Sequence, residues 1–210
     1  MIVRTIEPHK LSNLRKIEQF YFTLHPIRQY GDSRFRPDYQ KAVTLYYSGG
    51  FKQKWEAYKF FKAILSGHIR KFKYKFDLLV KVIDILITQL KLTESNDSVA
   101  ELKSWVKELS NLTEMTDSAV YKIRSLEIQS EFTLFDGDVN TALKILEEAK
   151  ELAVRHKLFQ LMDNIDVTRN YIKDQGDWNS LIETSQNPYT KLKLTKIDEY
   201  ITSINEMSVF

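Results

Sequence analysis

Reaction chemistry needs side chains that can ligate a metal, attack a substrate or move a proton, and in this 210-residue chain such side chains are scattered. The four histidines, His9, His25, His68 and His156, are far apart and form no two-histidine helical motif, so no metal centre is expected. There is no cysteine, which removes disulfides and thiolate sites and is compatible with a reducing compartment. Six glycines form neither a phosphate-cradling loop nor a dinucleotide fingerprint, and no serine elbow occurs. Carboxylates crowd at Glu147, Glu148 and Glu151, where a helix turns them towards water. The expectation is a protein that is not an enzyme and holds no cofactor.

Binding chemistry is better represented. Residues 1–75 hold 16 of the 31 Lys and Arg against five acids, a formal +11, which leaves −8 for the remainder. Such polarity steers an acidic partner to one end. Arg28, Tyr30, Arg34, Phe35, Arg36 and Tyr39 alternate cations with aromatics in a loop through Gly31 and Pro37. That alternation suits stacking on bases and neutralising phosphates, or holding a carboxylate-rich peptide; the plainer reading is aromatics that pin a loop while arginines solvate it. His68 to Lys75 adds a dense basic run. The expected docking surface is Arg28, Arg34, Arg36, Lys52, Lys54, Arg70, Lys71 and Lys73, facing other protein subunits with acidic surface, with nucleic acid as the alternative partner.

The elements that position these residues read as helices. Gly137 can end a helix in the left-handed conformation and Asp138 can cap the next. Val139, Ala142, Leu143, Leu146, Ala149 and Ala153 then form one apolar stripe, its alanines small enough for a close helix crossing. Gly176-Asp177-Trp178 repeats that grammar. Leu11 to Leu24, Tyr39 to Tyr46, Trp55 to Leu65, Phe76 to Leu90, Leu102 to Leu109, Ala119 to Ile128 and Leu158 to Ile172 are apolar at helical spacing. Ser98 to Glu101 and Ser180 to Glu183 read as capping boxes. Turns near Gly50, Asn96, Gly137 and Gly176 lie 46, 41 and 39 residues apart, longer than the roughly 34 of a tetratricopeptide repeat.

The expected fold is all-α, an irregular right-handed solenoid of antiparallel helical hairpins, tetratricopeptide-like, in one continuous domain. Its parts are residues 1–37 with the N-terminal helix and basic-aromatic loop, 38–187 with the hairpin repeats, and 188–210 with a last helix from about Leu192 to Met207 after a break at Asn187-Pro188. Gly137, Ala142, Leu146, Ala149, Gly176 and Trp178 are the expected repeat-packing residues. The apolar run Leu78 to Leu90 contains Lys81 and Asp84 and is too short to span a bilayer, so no membrane association is expected. Met1 to Lys10 has no apolar signal core, which points to the cytoplasm or nucleus.

Gly137-Asp138-Val139-Asn140-Thr141-Ala142-Leu143-Lys144, then Ala149, Ala153 to Lys157, the amphipathic Leu161 to Ile172 segment and Asp177-Trp178-Asn179-Ser180-Leu181 together resemble the helical-repeat region of the PCI family. The likeness is to the first subunit of the COP9 signalosome and its relative in the proteasome lid. Thr190-Lys191-Leu192-Lys193 follows at a similar offset. The resemblance covers about a quarter of the chain, and the stretch up to Phe210 has no room for the winged helix that ends that family's scaffold domain. It implies a non-catalytic scaffold that arranges partner subunits within a multiprotein complex.

Overall fold

The computed structural model describes residues 36–67, 69, 71–93, 97–174, 178, 181, 185 and 187–207. Among them the elements are nine α-helices: α1 (Arg36–Tyr47), α2 (Phe51–Leu65), α3 (Phe72–Thr93), α4 (Asp97–Glu114), α5 (Ala119–Phe135), α6 (Val139–Arg155), α7 (Phe159–Asp174), α8 (Pro188–Thr195) and α9 (Ile197–Met207). No described helix is long and apolar enough to cross a membrane. The chain divides into two compact units, residues 1–71 and 72–210.

In the first unit α1 and α2 form a hairpin. Gly49 takes φ +90° in its turn, a conformation that an L side chain resists. Ala42, Val43 and Tyr46 of α1 and Ala57, Tyr58, Phe61 and Ile64 of α2 are buried, as their helical spacing requires. The sequence reading carries a loop through Pro37, yet α1 opens at Arg36. Proline is tolerated in a first helical turn, where its missing N–H has no partner to lose.

The second unit is a succession of neighbours: α3 on α4, α4 on α5, α5 on α6 and α6 on α7. The chain then returns, and α8 and α9 pack on α3 and α5. Helices that receive neighbours on several sides must be apolar on several sides. Accordingly, α3 buries Phe76, the continuous run Leu78 to Ile87, and Leu90, including Lys81 and Asp84.

The expected turn at Gly137 forms as its residue types dictate. Gly137 has φ +93°, and its N–H and that of Asp138 bond back to Leu134 and Thr133 at 2.9 and 3.1 Å, satisfying the last carbonyls of α5. The Asp138 carboxylate accepts from the Thr141 N–H at 3.0 Å and caps α6. The next turn repeats the pattern without a glycine: Lys157 takes φ +56°, and the Lys157 and Leu158 N–H groups bond back to Val154 and Ala153.

On α6, Ala142, Leu146, Ala149 and Ala153 are fully covered and share a core with Ile123, Leu134, Leu161, Ile165, Ile172 and Trp178. Ser130 Oγ donates to the Ala142 carbonyl at 2.9 Å, which ties α5 to α6. Ala142→Trp is expected to destabilise the unit by about 1–3 kcal/mol or more through overpacking. A urea melt with the wild-type midpoint would place Ala142 away from the crossing.

Two boundaries differ from the sequence reading. Helix α4 opens at Asp97, so Ser98 lies inside its first turn and is buried rather than serving as the cap. Asn187-Pro188 starts a helix instead of breaking one: Asn187 Oδ1 accepts from the Tyr189 N–H at 2.7 Å and Pro188 occupies the first helical position. The single expected C-terminal helix is therefore two, divided by Lys196 at φ +53°.

Candidate functional site

The basic residues expected to dock a partner are only partly within the described region. Arg28, Arg34, Arg70 and the side chain of Arg36 lie outside it, as do Gly176, Ser180 and Glu183. Lys52 on α2 is exposed, and Lys71 and Lys73 are exposed beside the start of α3. Lysines of the first hairpin lie over its aromatic rings: Lys54 Nζ is 5.1 Å from the Tyr46 centroid, Lys41 4.7 Å from Phe60 and Lys62 5.6 Å from Tyr58. Those cations are engaged by ring faces in the folded hairpin. Among the described residues no cluster of three metal-ligating side chains occurs.

Two polar arrangements that the sequence did not single out lie on opposite sides of α5. At 100° per residue, Lys122, Leu126 and Gln129 fall within about 60° of one another, and Arg124, Glu127 and Glu131 cluster on the far side.

The first side opens into a groove of about 490 Å³ between α4, α5 and α6. Leu126 and Gln129 of α5 line it together with Ser110 and Thr113 of α4 and Leu152 of α6. Five charged side chains surround them: Glu114, Lys122, Glu148, Glu151 and Arg155. Glu114 ends α4, Lys122 lies in the first turn of α5 and Arg155 ends α6, so the short connections place all three at the end away from Gly137. None of the five takes part in an ion pair among the described residues. Nearby helices are joined by pairs instead, Lys75–Glu108 at 2.7 Å, Lys103–Asp136 at 2.6 Å and Lys150–Asp166 at 2.6 Å. Glu147, grouped in the sequence with Glu148 and Glu151, pairs with Arg169 and does not line the groove.

The second side is buried. Arg124 Nη1 lies 3.4 Å from Glu127 Oε2 and 3.3 Å from Tyr200 Oη, and Tyr200 donates to Glu127 Oε2. Burial pushes the Glu127 carboxyl above its usual range although Arg124 and Tyr200 oppose the shift. Burial, reinforced by Glu127, raises Glu131 to about 8, with Lys196 opposing. Glu127 Oε1 and Glu131 Oε2 are buried without a hydrogen-bond partner among the described residues. The sequence carries a faint signal of this seam. Arg124, Glu127 and Glu131 lie at i, i+3 and i+7 on a helix that also buries Ile123, Ile128 and Leu134, a face too polar for ordinary core and too covered for solvent.

Of the expected packing residues, Ala142, Leu146, Ala149 and Trp178 share one core with residues of α5 and α7, and Gly137 stands in the α5–α6 turn. Trp178 is buried, its Nε1–H donating to the Ile172 carbonyl at 2.5 Å. No family model, curated protein or solved structure matches the chain.

Proposed function

We propose that the protein is a non-catalytic interaction subunit and that its second unit holds an extended polar peptide of a partner subunit in the α4–α5–α6 groove. The observation that carries this reading is the set of five charged side chains, of both signs, around a half-open groove with none ion-paired among the described residues. An extended chain running along α5 would present its backbone to Gln129, its apolar side chains to Leu126 and Leu152, and acidic side chains to Lys122 and Arg155. The hairpin succession, and the likeness of residues 137–187 to the helical-repeat region of the signalosome and proteasome-lid family, support a place in a multiprotein complex. A succession of adjacent helices on which the last two described helices pack back suits such a role.

The test is affinity purification from native cells after nuclease treatment, with mass spectrometry, comparing wild type with Lys122→Glu/Arg155→Glu and with Lys52→Glu/Lys54→Glu. Neither groove residue is ion-paired among the described residues, so the groove variant should keep its melting behaviour within roughly 0.5 kcal/mol. It is expected to lose most of the nuclease-resistant partner subunits, while the α2 variant retains them. Full retention by the groove variant would remove the groove as the docking site, and loss only in the α2 variant would move the interface to the first hairpin.

A further inference from the structure

The α8–α9 segment is secured by polar contacts to α3, α5 and α7. Tyr200 of α9 reaches Glu127 and Arg124 of α5. Asp198 of α9 pairs with Lys91 of α3, and the Leu194 carbonyl of α8 accepts from Tyr171 Oη of α7 at 2.9 Å. Leu192, Ile197, Ile201 and Ile204 supply the apolar part of the contact. At the centre stand Glu127 and Glu131, one helical turn apart on the same face, both buried and each with an oxygen unpartnered among the described residues.

The charges around this pair are unequal to it. From α5 comes Arg124, which bonds to Glu127 and Tyr200. From the α8–α9 junction comes Lys196, but it is exposed and its Nζ lies over the Tyr171 ring at 4.1 Å. Tyr171 of α7 and Tyr200 of α9 are neutral, both held above the ordinary phenol range. Burial is the main cause in each, reinforced by Glu131 and Glu199 at Tyr171 and by Glu127 at Tyr200. Helix α3 buries one basic and one acidic side chain, Lys81 and Asp84. Among the described residues Glu127 is thus matched by a bonded cation, and Glu131 has only the more distant influence of Lys196.

We propose that α8–α9 is a proton-sensitive clasp: it holds α3 and α5 while Glu127 and Glu131 share one negative charge, and it loosens when both are ionised. The direction comes from linkage. Glu131 holds its proton up to about 8 in the folded unit, whereas an unfolded carboxyl releases it in the ordinary range. The stability associated with that proton is full below the ordinary carboxyl range, and it is lost as pH rises towards and through about 8. The strain falls first on α8–α9, because α9 supplies Tyr200 to the seam.

Hydrogen exchange of the intact chain, corrected for intrinsic rates, tests this at about pH 6.5 and about pH 9. Protection of residues 197–207 is expected to fall at least about tenfold between the two in the wild type, and to stay within about twofold in Glu131→Gln, which keeps the shape and neutrality of the protonated acid. Residues 139–155 should hold their protection in both proteins. Tyr200→Phe, which removes the donor to Glu127, should expose residues 197–207 already at the lower pH. A flat wild-type profile, an equal fall in Glu131→Gln, a loss shared equally by residues 139–155, or full protection in Tyr200→Phe would each overturn the clasp.

Discussion

Arg124→Met is expected to destabilise the second unit by roughly 3–5 kcal/mol, the range for removing one partner of a buried ion pair. The guanidinium has a side-chain exposure of 9% and Glu127 of 4%, so the carboxylate left behind has almost no access to water. Tyr200 still donates to it, yet one hydrogen bond does not replace a counter-ion in a buried seam. Glu127 would then protonate, and the loss would shrink as pH falls through its raised range. Urea unfolding at two pH values measures both effects. The double variant Arg124→Met/Glu127→Leu should recover most of the stability, because replacing both partners removes the uncompensated charge. A single-variant loss under about 1 kcal/mol would show that the pair is hydrated rather than desolvated.

Trp178→Ala should cost about 3–5 kcal/mol, comparable to other large-to-small changes at covered aromatic positions. The indole is 2% exposed, packs edge-on against Tyr171 with centroids 5.9 Å apart, and shares a core with Ala149, Ile165 and Ile172. Its removal leaves a cavity and strands the Ile172 carbonyl that now accepts from Nε1. Trp178→Phe fills much of the space and should recover more than half of the loss. Chemical denaturation monitored by circular dichroism separates the two. Equal stability of the Ala variant and wild type would mean that Trp178 is not part of the core joining α6 and α7.

Local chemistry makes the α5–α6 hairpin legible from residue order alone. A glycine that must turn left-handed, an aspartate three residues ahead of an amide it can cap, and alanines repeated on one face are interactions among neighbours in sequence. Their geometry is set by the backbone itself. The turn at Lys157 is not legible in that way, because lysine has no preference for the left-handed region and adopts it only where the flanking helices require it. The start of α8 is legible, although the sequence reading takes it as a break: asparagine is a favoured cap and proline a favoured first helical residue, so Asn187-Pro188 carries a local start signal.

The groove and the seam depend on partners far along the chain. Glu148 and Glu151 read as a solvated face that they share with Arg155, four residues beyond Glu151, and both are exposed, but only the placement of α4 and α5 brings Glu114 and Lys122 to the same groove. Arg124 and Tyr200 are 76 residues apart, and Lys91 and Asp198 are 107 apart, separations at which periodicity carries no information.

The amino-acid sequence by itself determined the all-helical class, the apolar stripe of α6 and the Gly137 turn, because each arises from spacings of a few residues repeated along one helix or across one turn. Only the tertiary structure decided that α8 and α9 return to α3 and α5, that two glutamates share a buried seam, and that five charges border a groove without pairing among the described residues. Burial and charge compensation belong to the packed assembly of helices, and no single helix contains them.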